Sequence, residues 1–312
     1  MRRFVTIAVQ ASCLCSLATH AFAGGLCASP RDATGVAYQT SVVAASDGTC
    51  LRGFSWRPAG QARAVVVITH GIRDYALRYD AFARQLTAQG YAVFAQDLRG
   101  HAHSGGDRQR FDSMQQLVGD TDLAVTDARR QFPDLPLFMY GHSLGGLVTT
   151  SYVIAHQEKV SGAVLSGAAL MRPQSVGALS VVLARLVAAV APGFKAVAVD
   201  DSQFSRDPAV TSALASDALV DHGKLPAISA VASVDGMQQV RERASSIRIP
   251  LLVMYGTADS VNPVAGSDAL FESVASEDKS IKPYQGLYHD MLNEPERAQV
   301  TADVIAWLNA RL

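Results

Sequence analysis

A mostly parallel β-sheet with helices on both faces is the fold class this sequence predicts, and three observations predict it. Short β-rich runs alternate with longer helical patterns along most of the chain, the signature of strand–helix–strand units. Some of those runs, such as Ala64 to Thr69, are continuously apolar, as strands covered on both faces are. The 312 residues are 49% hydrophobic and only 18% charged, enough apolar side chain for a large core.

The first 23 residues stand apart. Arg2 and Arg3 precede the apolar segment Phe4 to Leu17, and Ala21-Phe22-Ala23 comes before Gly24. This pattern predicts a cleaved signal peptide and a secreted or periplasmic product. A retained anchor is the competing reading, but the apolar run is shorter than the ~20 residues of a span and contains Gln10, Ser12 and Ser16. Cys27 follows Leu26, which does not suit lipid attachment. Cleavage leaves Cys27 and Cys50, either a disulfide in an oxidising compartment or two buried thiols.

The elements follow in order. Val36 to Ala44 and Cys50 to Arg57, separated by Ser46-Asp47-Gly48, predict a hairpin. Ala64 to Thr69 is a strand, Tyr79 to Gln89 a helix ended by Gly90, and Ala92 to Gln96 the next strand. Met114 to Gln131 is helical until Pro133 and Pro136 break the chain, and Leu137 to Tyr140 is again a strand. A helix through Ala155, strands at Gly162 to Leu165, Leu251 to Tyr255 and Ser280 to Tyr284, and a helix over Arg297 to Leu312 complete an eight-stranded sheet.

Residues 168–248 interrupt the rhythm between a first core part (24–167) and a second (249–312). The stretch is too long for a loop and lacks clear β runs, so it predicts a helical cap. Val176 to Val199 is strongly apolar and divided by Pro192-Gly193 into two helical pieces. Two readings stand for it: a lid whose apolar face lines an acyl site and touches lipid surfaces, or a helix packed on the core.

A net charge of −1 with scattered lysines and arginines predicts no nucleic-acid partner. His101-Ala102-His103, with Asp97 and Asp107 nearby, lacks a third histidine or a cysteine in a matching position, so neither a metal nor a cofactor is expected.

Gly141-His142-Ser143-Leu144-Gly145-Gly146 directly follows an apolar strand. A serine flanked by glycines there is the sequence form of a nucleophile elbow, a strained strand-to-helix corner. Ser143 is therefore the candidate nucleophile. A serine hydroxyl needs a base and the base an orienting acid, and behind such an elbow they follow in the order acid, then histidine. Asp259 comes just after one β run, in Gly256-Thr257-Ala258-Asp259, and His289 just after the last, in Gly286-Leu287-Tyr288-His289. All three thus reach the same edge of a parallel sheet, where such sheets collect their sites. The backbone N–H groups of Leu144 and Ile72 are the candidate oxyanion-hole donors. His70 and His142 are read as structural, and His156 and His222 have no motif around them.

Together with His70-Gly71-Ile72 and Arg78-Tyr79, Asp97-Leu98-Arg99-Gly100-His101 and His289-Asp290-Met291-Leu292-Asn293-Glu294, these motifs resemble the monoacylglycerol lipase and lysophospholipase-like branch of the α/β-hydrolases, also grouped as serine aminopeptidase-like. The resemblance covers most of the chain after residue 23. It implies the α/β-hydrolase fold with a helical cap, and catalytic roles for Ser143, Asp259 and His289. Two departures stand out: Arg73-Asp74-Tyr75 where the family usually has Gly-Glu-His, and Ala102 in place of a common glycine. They leave the triad intact and bear on head-group recognition.

The expected function is a serine hydrolase that cleaves single-chain carboxylic esters of small-molecule or lipid type through an acyl-enzyme. The same triad would serve amide or thioester cleavage, with cap acids Asp200, Asp201 or Asp207 receiving a substrate amine. A non-catalytic ligand-binding protein on this fold is the reading from outside enzymology.

Overall fold

The structure, a computed structural model, describes residues 37–312. The expected signal peptide and Cys27 lie outside the described residues. Cys50 is disulfide-bonded.

The main sheet contains β1 (Gln39–Ala44), β2 (Cys50–Trp56), β3 (Ala64–Thr69), β4 (Tyr91–Gln96), β5 (Leu137–His142) and β6 (Gly162–Ser166). Two later strands, β9 (Leu251–Gly256) and β10 (Lys279–Tyr284), complete it in the order β1-β2-β4-β3-β5-β6-β9-β10. Pairing from β4 through β10 is parallel, and β2 alone runs against its neighbours. The eight strands expected from the sequence are all present.

The central strands show why continuous apolar runs were needed. Val65 and Val67 of β3, with Leu137 and Met139 of β5, enter one core; Val66, Ile68, Phe138 and Tyr140 enter the other. Successive side chains point to opposite faces, so a strand with helices on both sides must be apolar at every position. α2 (Met114–Gln131) and α3 (Leu144–His156) cover the first face; α1 (Asp80–Ala88) and α8 (Arg297–Asn309) cover the second. Ser113 caps α2 by accepting from Gln116 N at 3.2 Å. α7 (Val264–Ser273) joins β9 to β10.

The insertion between β6 and β9 carries α4 (Ala178–Val190), α5 (Pro208–Ser216) and α6 (Ala227–Arg243). One expectation is corrected here, because the insertion is not purely helical. After Pro192-Gly193 the chain forms β7 (Lys195–Val197), antiparallel to β8 (Leu225–Pro226), instead of a second helical piece. The carbonyls of Pro192 and Phe194 accept from Ile228 N and Ala227 N at the start of α6. Tertiary hydrogen bonds therefore take the groups a continued helix would have used.

Candidate active site

Ser143 stands between β5 and α3 with φ 54° and ψ −121°. A non-glycine residue holds such a backbone only where its surroundings over-determine it. Ser143 N donates to Ser166 O at 3.0 Å, and Ser143 O accepts from Gly146 N at 2.9 Å and Ala169 N at 3.0 Å. The flanking glycines are required by contact: a Cβ on Gly145 would lie 2.1 Å from Thr69 O, and one on Gly141 2.5 Å from Gly145 O.

Asp259 and His289 meet across the ends of β9 and β10. Asp259 Oδ2 and His289 Nδ1 are 2.8 Å apart, with both side chains buried. Asp259 Oδ1 accepts from Val261 N at 2.8 Å and Asn262 N at 3.0 Å. Burial works to raise the Asp259 pKa, but His289 and these amides outweigh it and hold the carboxyl below its usual value. With Nδ1–H donated to the carboxylate, the free lone pair of the imidazole is on Nε2. His289 Nε2 is buried and has no hydrogen-bond partner. The ring is held between His142, 4.7 Å away by centroid, and Phe204, 5.3 Å away.

Close approaches bring these pieces to one place. A Cβ on Gly71 would lie 2.9 Å from Ser143 Cβ, and one on Gly167 would lie 3.2 Å from His289 Nδ1. Ser143, Leu144 and Ile72 line one cavity of about 470 Å³. As the first residue of α3, Leu144 has an amide that no helical carbonyl can satisfy. The cavity's other walls include Phe111, Val197, Val199, Leu225, Met237 and Val261, an apolar lining suited to an acyl chain.

The loop that carries Ile72 is supported from beneath. His70 Nε2 accepts from Leu98 N at 2.8 Å, and Asp97 Oδ1 accepts from Ala76 N at 2.8 Å. Asp74 accepts from Gly71 N (3.3 Å), Tyr75 N (2.8 Å) and the Tyr79 hydroxyl (2.7 Å). Burial works to raise the Asp74 pKa, yet Arg78 and the nearby histidines hold it below the ordinary carboxylate value. Of these supports the sequence reading names only His70 as structural; the roles of Asp74 and Asp97 escaped it. Asp74 carried one available signal, an acid beside an oxyanion-type loop.

The remaining candidates are spread apart. His142 Nδ1 faces Ser166 O at 3.0 Å, and burial lowers its pKa. His101 Nδ1 faces Arg99 O at 2.9 Å, whereas His103 Nδ1 faces Asp97 Oδ2 at 3.0 Å. Among the described residues no group of three or more His, Cys, Asp or Glu could hold a metal ion. Of the cap acids, Asp201 is paired with Arg73 (3.0 Å) and His222 (2.8 Å), and Asp207 caps α5 through Ala209 N (2.9 Å). Asp200 alone lines the cavity, with Oδ1 already accepting from Ser202 N at 3.1 Å.

A family profile described as serine aminopeptidase, S33, matches residues 60–296. The chain belongs to this family. Among similar proteins, a monoacylglycerol lipase of Mycolicibacterium smegmatis is 39% identical over 257 residues, 82% of this chain and 92% of that one. Monoglyceride lipase of Mus musculus is 31% identical over 270 residues, 86% of this chain and 89% of its own. The solved monoacylglycerol lipase of Paleococcus ferrophilus superimposes with a TM-score of 0.77 at 27% identity, covering 84% of this chain and 99% of the other. The family is one of α/β-hydrolases, and the eight-stranded sheet is its fold. Ser143, Asp259 and His289 all fall within the matched S33 region.

Proposed function

We propose that this S33 family member is a serine carboxylic-ester hydrolase acting on single-chain esters of monoacylglycerol or lysophospholipid type. The observation that carries the proposal is His289: clamped by Asp259 through Nδ1, it has a buried, unpartnered Nε2, and its ring packs on His142, the residue before the strained Ser143. A buried polar atom left unpaired is costly, and a base awaiting the proton of a nucleophile accounts for it. His289 would accept the Ser143 proton as Oγ attacks the ester carbonyl. The negative charge forming on the carbonyl oxygen would be met by Ile72 N–H and Leu144 N–H. His289 would then protonate the departing alcohol, leaving an acyl-Ser143, and repeat the cycle with water. Asp259 would keep the tautomer and stabilise the imidazolium.

The apolar cavity supports a single acyl chain as the substrate's tail. Residues 168–248 would serve as a cap over it, its α4 face resting transiently on the lipid surface that holds the substrate. Leu179, Val182, Leu183, Leu186 and Val190 are exposed on that face, and no helix among the described residues is long and apolar enough to cross a membrane. The N-terminal pattern supports secretion or a periplasmic location, and a disulfide-bonded Cys50 fits an oxidising compartment.

The test is kcat/KM on 1-monoacylglycerols of increasing chain length, for the wild type and Ser143→Ala. Serine-dependent activity should rise with length, each buried methylene contributing up to about 0.8 kcal/mol. Activity confined to short activated esters would replace the lipase reading with a small-ester or amide hydrolase.

A further inference from the structure

The segment Arg73-Asp74-Tyr75 alternates in direction. Asp74 turns inward to Gly71 N and Tyr79, whereas Arg73 and Tyr75 reach the insertion. Arg73 follows Ile72 with φ 56°, in the left-handed region that a non-glycine residue enters only when held. Its guanidinium is almost fully buried and makes four contacts to the insertion. Nη1 donates to Val199 O at 2.8 Å and pairs with Asp201 Oδ1 at 3.0 Å; Nη2 donates to His222 O at 2.9 Å and Gly223 O at 3.1 Å. Tyr75 Oη adds a bond to Asp217 Oδ2 at 2.6 Å. Val199, itself one of these anchors, and Asp200, between two of them in sequence, line the same cavity as Ile72 and Ser143.

We propose that Arg73 is a positioning residue that holds the Ile72 N–H on target by fastening its loop to the wall of the acyl cavity. The oxyanion hole is then complete only while the stretch from Val199 to Gly223 is seated. The inference rests on Ile72 being an oxyanion donor and goes beyond that assignment, because it makes transition-state stabilisation depend on the insertion. The planar guanidinium suits the task. It sends hydrogen bonds in several fixed directions, which a lysine ammonium cannot reproduce.

The test uses Arg73→Gly, because glycine adopts this φ without strain and the change removes only the strap. With active enzyme counted by burst titration, kcat for a 4-nitrophenyl ester should fall about 10- to 100-fold, less than the 10²–10³-fold of losing a donor outright. KM should stay within about twofold, because the interaction acts on the transition state. Methylguanidinium added to Arg73→Gly should restore part of kcat, and Arg73→Lys should lie between the two. A kcat within about threefold of wild type overturns the proposal, as does a raised KM with kcat unchanged, which would make Arg73 only a wall of the cavity. If Arg73→Gly does not melt cooperatively, Asp201→Asn decides: a lower kcat at constant KM supports the strap and an unchanged kcat overturns it. Failure of the hydrolase reading is separate, and would appear as full activity in Ser143→Ala.

Discussion

The loops around Ser143 and the outer face of α4 both invert ordinary burial, in opposite directions. Around the serine, polar groups are hidden: His289, Asp74, Asp97 and Glu294 are buried, as is the side chain of Asp259, and each carboxylate is met by amides, hydroxyls or cations. On α4 the apolar groups are exposed: Leu179 is 80% accessible and Val190 84%. The helix packs on α6 through small or partly buried side chains such as Ala184, Val187 and Ala188, with the exposed Arg185 paired to Asp235. Buried charge is tolerated only when fully partnered, so the site loops are rigid by necessity. An exposed apolar stripe is tolerated where something else covers it. On the proposed function, one inversion serves chemistry and the other a surface.

The comparison can be broken at several points. Ser143→Ala should have the largest effect, lowering kcat about 10⁶-fold, as loss of a triad serine does elsewhere; substantial residual turnover of a long-chain ester would remove Ser143 from the chemistry. Asp259→Asn should keep the fold and lower kcat about 10⁴-fold by allowing the wrong imidazole tautomer, measured with the same ester.

The stability of the His289 loop depends on charge pairing with the insertion. Arg206 N and Nε donate to Glu294 at 2.8 and 2.5 Å. Arg206→Met should leave the buried carboxylate without its cation and cost about 1–3 kcal/mol, read as a lower Tm; Glu294→Gln in the same chain should recover part of the loss. Asp74 makes the pH dependence explicit. Its folded pKa lies below the ordinary aspartate value of 3.8, so its stabilisation is present above that value and is lost as pH falls through the folded pKa. Tm should therefore fall more steeply below about pH 4 in the wild type than in Asp74→Asn; equal slopes would remove Asp74 as a source of acid lability.

The smallest effect on the fold is expected on α4. Leu183→Ser with Leu186→Ser should change stability by no more than about 0.5 kcal/mol, because neither side chain is buried. Turnover of a dissolved ester should be unchanged while binding to lipid vesicles weakens. Vesicle binding equal to wild type would assign the lipid contact to another face.

Much of the protein was legible in its sequence because the determining interactions are local or periodic. A strand buried on both faces must be apolar throughout, as Ala64 to Thr69 is. A serine on a strained turn needs glycines beside it. Parallel strands deliver their following loops to one edge, so Asp259 and His289 could be placed with Ser143 from order alone. What the tertiary structure decided lies in contacts between distant segments. The residues after Pro192-Gly193 became β7 because β8 pairs with them and the carbonyls of Pro192 and Phe194 just before found amides at the start of α6, more than thirty residues away in sequence. Arg73 reads in sequence as a departure from the family pattern, with no partner named for it. Only the folded chain encloses it among the carbonyls of Val199, His222 and Gly223. A hydrogen bond to a main-chain carbonyl depends on where the backbone passes and not on which side chain it bears, so it leaves no pattern in the residues that accept it.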